Sequence, residues 1–398
     1  MTTARSRQLA LLSATASFRG TQNMALTTIA LLLRDGLHVG AASIGLVGAI
    51  AGATNVLATL GISSRLHPSR QRDAVVAATV LLLAGLIVLA ISPSVLVAGI
   101  GAALVGAAGG LGMPSLTGLS QLLSRDQPDR ERQLAIFTLV LSASLAIAPL
   151  VEAAILELAH QNVRVPLLAF GVFPLVVIGA LSTIRLARPD AATHAADRAN
   201  AAEVHPFAVP AARQALIAQL MYALPFAAVT AFGAAIARSL PHVSAAEAEQ
   251  AFTAFFVTSF AARAVVAARS PIVHKHRVLV LSGLLTVAGI ALAAIAPSFL
   301  LFALAMAVLG IPHGAIFPVV LSMLAEALDP YALPKANSYL IGFSSIVGVA
   351  APGALGAVAG AFGYRGMELA TLVPTVALLG VLWAMTRADR AHAAALSR

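Results

Sequence analysis

The sequence predicts an all-α membrane protein with twelve transmembrane helices arranged as two pseudo-symmetric six-helix bundles. Three observations carry this. The 398 residues are 59% hydrophobic and only 10% charged, where soluble domains have about a quarter charged residues. Apolar stretches long enough to cross a hydrocarbon core of about 30 Å as a helix recur along the whole chain. Rare residues also repeat between the two halves at a nearly constant spacing.

Breaks at charged or proline-bearing segments place spans near 9–33, 41–62, 74–92, 95–122, 134–156, 165–186, 212–237, 246–267, 278–296, 299–325, 337–360 and 368–386. The first follows Arg5 and Arg7 and has the outline of a secretory signal. Arg19 interrupts it and no small-residue cleavage site follows, so it reads as a retained helix. Ser92-Pro93-Ser94 and Ala296-Pro297-Ser298 are turn sequences, because proline fixes φ and serine bonds local backbone; they make the flanking spans antiparallel. The longest polar connection, Arg185 to Arg213, falls near the centre. The predicted organisation is a bundle over 1–186, a cytoplasmic linker over 187–211 and a second bundle over 212–398.

Alternate connections differ in charge. Arg5, Arg7, Arg65, Arg70, Arg72, Arg125, Arg263, Arg269, Lys275, Lys335 and Arg387 belong to the basic set, whereas the opposite set holds only Arg34, Arg164, Arg238 and Arg365. The positive-inside rule then puts both termini in the cytoplasm and the protein in the cell membrane. A net charge of +9 is explained by these loops beside a lipid bilayer and calls for no nucleic acid. The absence of cysteine excludes disulfides, thiolate metal sites and cysteine nucleophiles. No P-loop, HExxH, GxSxG or EF-hand pattern occurs, so no cofactor, metal or enzymatic activity is expected. The expected unit is a monomer.

The repeat is specific. Arg34, His38, Arg65, Gly106 and Pro114 match Arg238, His242, Arg269, Gly310 and Pro318, each 204 residues on, and Pro149 matches Pro352 at 203. Six spans plus six, a central loop and basic loops after spans 2 and 8 resemble the major facilitator superfamily over essentially the whole chain. Gly106 with Pro114 is similar to that family's fourth-helix pattern. Ser144 to Ala153 and Gly348 to Gly356 are similar to the Gly-Pro motif of its antiporter members. Ala102 stands where many proton-coupled members carry arginine, and the loop 61–72 lacks the family's usual aspartate. The resemblance implies secondary transport by two rocking halves, with Pro149, Pro352 and Gly353 as gating or packing positions.

Function is sought among polar groups at bilayer depth, where a charge costs about 2.5–3.5 kcal/mol and therefore faces a cavity or a partner. Arg19 lies mid-span with Asn23 one turn on; it either binds an anionic substrate group or pairs with Glu152. Glu152, three residues after Pro149, is the candidate proton carrier. His313, between Gly310, Pro312 and Gly314, is expected where a broken helix exposes carbonyls to a cavity, as a substrate ligand or a packing histidine. Gln219 and Tyr222 in span 7, and Asn337 in span 11, complete the candidate substrate site. Phe252, Phe255, Phe256 and Phe260 read as lipid-facing or packing side chains, or as an apolar substrate wall.

Three functions remain open. The first is proton-coupled efflux of small apolar or amphipathic compounds by alternating access. The second is import or exchange of a small organic anion at Arg19. The third is a membrane sensor or scaffold that keeps the fold without transporting.

Overall fold

The computed structural model describes residues 4–122, 127–182, 209–269, 274–328 and 333–396. The predicted linker thus lies almost wholly outside the described residues. Twelve crossings are present among the described residues: α1 Ala4–Leu31, α2 Ala41–Gly61, α3 Gln71–Ala90, α4 Val95–Leu122, α5 Gln127–Leu158, and α6 in two pieces, Arg164–Ala169 and Val172–Ser182. The second half has α7 Pro210–Ala237, α8 Ala245–Ala268, α9 Lys275–Ile295 and α10 Phe299–Ala327. The run Leu333–Leu396 contains α11 (333–362) and α12 (364–396), divided at Gly363, whose φ of 71° places it in the left-handed region where a side chain is strained. No strand occurs among the described residues.

Ten helical stretches among the described residues are apolar enough to span by composition, the 339–388 stretch counting once. At 1.5 Å per residue that stretch is far too long for one crossing, so it supplies two. The remaining crossing, α1, carries Thr15, Thr21, Gln22, Asn23, Thr27 and Thr28, all buried. It qualifies by packing against α5, α6 and α7 rather than by hydropathy. Its polar composition is tolerated because those residues face protein instead of acyl chains.

The 204-residue repeat has a structural counterpart. His38 and His242, at equivalent turns, both take positive φ, 56° and 60°. Gly106 lies against the Ala51 carbonyl and the Thr54 hydroxyl, and Gly310 against the Phe255 carbonyl and the Thr258 hydroxyl. A Cβ at either glycine would overlap those atoms, so the fourth-helix glycines bring α4 onto α2 and α10 onto α8. Helix α10 runs unbroken through Pro312 and Pro318. The expected broken helix at His313 is therefore absent, and the prolines free only the single carbonyls four residues before them.

The halves meet along two seams, α2 with α11 and α5 with α8, and through α1 against α7. At the end of the bundle away from the termini, Arg238 Nε pairs with Asp35 Oδ2 at 2.6 Å, Arg34 donates to the Ala235 carbonyl, and Gln161 accepts from the Ala246 amide at 2.9 Å. Asp35 and Arg34 sit in a π-helical turn, Leu32–Gly36, a distortion frequent at functional positions. The inter-half hydrogen bonds among the described residues lie at this far end and at mid-depth.

Candidate functional site

Two polar clusters lie between the halves. The deeper one gathers Arg19, Gln22 and Asn23 of α1, Tyr222 of α7, Arg263 of α8 and His313 of α10. Arg19 donates to Gln22 Oε1 at 3.0 Å, and Arg263 donates to the Ser142 hydroxyl of α5 across the seam. His313 Nδ1 bonds Ser259 at 2.7 Å. Its ring lies 4.6 Å from Phe226, 5.1 Å from Phe255, 5.6 Å from Tyr222 and 6.0 Å from Phe256, centroid to centroid. These separations are those of interacting aromatic rings.

Arg263 acts electrostatically on Arg19, both act on His313, and among the described residues no carboxylate acts on either guanidinium. The alternative in which Arg19 pairs with Glu152 is thereby corrected: its neighbour of consequence is another arginine. Arg19 Nε, Asn23 Nδ2, Gln219 Oε1 and Tyr222 Oη are buried without a hydrogen-bond partner. Buried polar atoms are normally satisfied, so four orphaned atoms on two facing helices, α1 and α7, mark a place that accepts a polar ligand or water. The side chain of Asn337 lies outside the described residues. Phe252, Phe255 and Phe256 are buried, so the lipid-facing reading of these three is corrected.

The second cluster sits nearer the far end. From Arg263 to Glu249 is 14 residues of α8, about 21 Å at the helical rise. Glu249 of α8 and Glu152 of α5 are both 0% exposed, and their carboxyls face each other within hydrogen-bonding reach. The Thr28 hydroxyl of α1 contacts Glu152 Oε1. The Thr27 hydroxyl, beside Glu249, is directed to its own helix, 3.0 Å from the Met24 carbonyl. No donor therefore reaches Glu152 Oε2 or either oxygen of Glu249. Two carboxyls so placed can hydrogen-bond to each other only when one of them carries a proton.

Pro149 is buried within an unbroken α5. On the other seam the Pro352 carbonyl meets Gly45, and Gly356 is backbone to backbone with Gly45. Gly353 has only an ordinary contact, 3.6 Å from a built Cβ to Ala49. The close approach assigned to Gly353 thus belongs to Gly356, one turn on.

Two residues of these clusters were not identified from the sequence. Arg263, five residues before the end of α8, reads as a loop cation, and Glu249 lies in the first turns of α8. The signal for Glu249 is present next to it: Ser244 and Glu247 form the capping box that starts α8, which leaves Glu249 inside the helix and pointing to its packed face.

Residues 215–398 match the family model described as Major Facilitator Superfamily. No curated protein matches the sequence significantly. Among solved structures, the chain is similar to a bacterial homolog of the human lysosomal transporter Spinster in an inward-facing and occupied conformation, at TM-score 0.76 and 14% identity, over 97% of this chain and 98% of that one. It is similar to the nucleoside transporter NupG, at TM-score 0.73 and 14% identity over 96% and 99% of the two chains. A peptide transporter POT in complex with sulfate gives TM-score 0.73 and 14% identity over 96% and 95%. Fold and family match together define the class of fold: a multi-pass, all-α membrane protein of the major facilitator fold.

Proposed function

We propose that this protein is a proton-coupled secondary transporter whose central site takes the anionic group of a small organic molecule. The observation that carries the reading is the pair Arg19 and Arg263, two guanidiniums in the seam between the halves with no carboxylate acting on them. Two unneutralised cations at bilayer depth are costly, and an anion between them lowers that cost while bridging the two halves. The aromatic wall of Tyr222, Phe226, Phe255 and His313 suits a flat apolar body on the same molecule. This keeps the amphipathic substrate of the efflux reading and adds a charge to it.

Glu152 and Glu249 are the coupling pair. Each comes from a different half, so separation of α5 from α8 at the far end exposes them to the far aqueous phase, and closure brings them together around a proton. With the basic connections in the cytoplasm, the far end is the outer one, and the Asp35 to Arg238 latch closes it. The first six helices and the last six move as the two rigid bodies, and a monomer suffices. One proton moving through 100 mV supplies about 2.3 kcal/mol, enough for a gradient of more than tenfold.

The reading is tested in proteoliposomes screened with aromatic carboxylates under an imposed pH gradient. Saturable, gradient-driven flux that Arg263→Gln and Arg19→Gln each weaken at least tenfold is the expected result. Flux of neutral or cationic compounds alone, undiminished in both variants, overturns the anion assignment.

A further inference from the structure

A cavity lies at the far end of the C-terminal half. It has a volume of about 310 Å³ and is lined by Ile236 at the end of α7 and Leu240 just after it, Ala293 to Pro297 at the end of α9, and Tyr364, Arg365 and Glu368 of α12. Glu368 is 5% exposed and has no hydrogen bond or ion pair among the described residues. Its carboxyl is therefore a buried acceptor whose open side is this cavity.

The other half shows what the position ordinarily holds. Arg164-Val-Pro-Leu-Leu-Ala169 at the start of α6 corresponds to Arg365-Gly-Met-Glu-Leu-Ala370 at the start of α12. Arg164 donates to the carbonyls of Ala90 at 2.7 Å and Ser92 at 2.8 Å, at the end of α3. A helix leaves its last carbonyls unpaired and carries partial negative charge there, and the guanidinium answers both needs. The equivalent carbonyls of α9, Ala294 and Ala296, border the cavity, and Arg365 makes no such bonds among the described residues. Glu368 takes the place of Leu167, which is fully buried.

We propose that this cavity is a binding site for an organic ammonium or guanidinium ion, held between the Glu368 carboxyl and the carbonyl end of α9. One wall offers the Glu368 carboxyl and the α9 carbonyls, with Arg365 at its edge, and the other is apolar through Ile236, Leu240 and Pro297, which suits a cationic group on a small hydrocarbon body. The same chemistry is offered by a soluble amine and by the amino headgroup of a phospholipid, and the site is independent of the transport reading.

The test uses the full chain in phosphatidylcholine nanodiscs. Titration with phenethylammonium chloride raises the unfolding temperature saturably if a soluble amine is the ligand, by mass action. If only nanodiscs containing phosphatidylethanolamine raise it, the source is the lipid headgroup. Glu368→Gln is expected to weaken the responding arm at least tenfold. Ala294→Met, which fills the cavity and keeps the acid, is expected to do the same, and it separates binding here from binding at another carboxylate. A wild-type protein that responds to neither cation, or a response unchanged in Ala294→Met, overturns the proposal.

Discussion

The two seams that join the halves are related by the internal repeat, yet they are built from opposite chemistry. Gly45 of α2 corresponds to Glu249 of α8, and Gly356 of α11 corresponds to Glu152 of α5, each pair 204 residues apart. On the α2 and α11 seam the two glycines touch backbone to backbone. At the same place on the α5 and α8 seam two buried carboxyls meet. The first contact is non-polar and indifferent to pH. The second brings together two acids that bond only when one is protonated. On the proposed transport cycle, one closing surface is set by shape and the other by protonation.

The comparison is broken most severely by locking the glycine seam. A built Cβ on Gly360 lies 3.6 Å from that of Ala42, inside the range of a disulfide. Ala42→Cys with Gly360→Cys is expected to crosslink under oxidant and abolish at least about nine-tenths of transport, with recovery on reduction, read as solute flux. The chain has no native cysteine to complicate the assay. Bulk at the same seam acts alike: Gly45→Leu has no space against the Pro352 carbonyl and is expected to prevent far-end closure.

Next in size is the acid seam. Glu152→Gln or Glu249→Gln is expected to remove the pH dependence of transport and lower gradient-driven flux about tenfold or more. The double variant should be little worse than either single, because residues that share one interaction are not additive. Arginine variants come third. Arg263→Gln should raise KM about tenfold with a smaller change in turnover, since a hydrogen bond to a charged group is worth about 1.5–3 kcal/mol. The smallest effect is expected at the latch. Asp35→Asn weakens one half-exposed ion pair, worth about 1 kcal/mol or less, and should shift the closed population by no more than about fivefold in a distance measurement.

The fold was legible because lipid imposes length, polarity and charge rules on every span, and the repeat was legible because arginine, histidine and proline are scarce in this sequence. Arg19, Tyr222 and His313 were legible for the same reason, as polar groups at bilayer depth. Arg263 was not, because a cation near a helix end obeys the topology rule as well as it would serve a site, and only packing against Ser142 distinguishes the two. Glu249 was obscured by Glu247, its capping neighbour, since two acids at a helix start read as one solvated turn. The turn at Gly363 was bracketed by the predicted ends 360 and 368, but its left-handed conformation is set by the joint between α11 and α12.

The central claim is that a proton between Glu152 and Glu249 holds the far end shut. Spin labels at Gly40→Cys and Phe362→Cys, exposed positions on opposite halves, report far-end separation without any substrate. The account predicts a short distance at low pH that lengthens as pH rises and the acids lose the shared proton, and a distance that stays short at every pH when both acids are glutamine. An unaltered pH response in that double variant would contradict it.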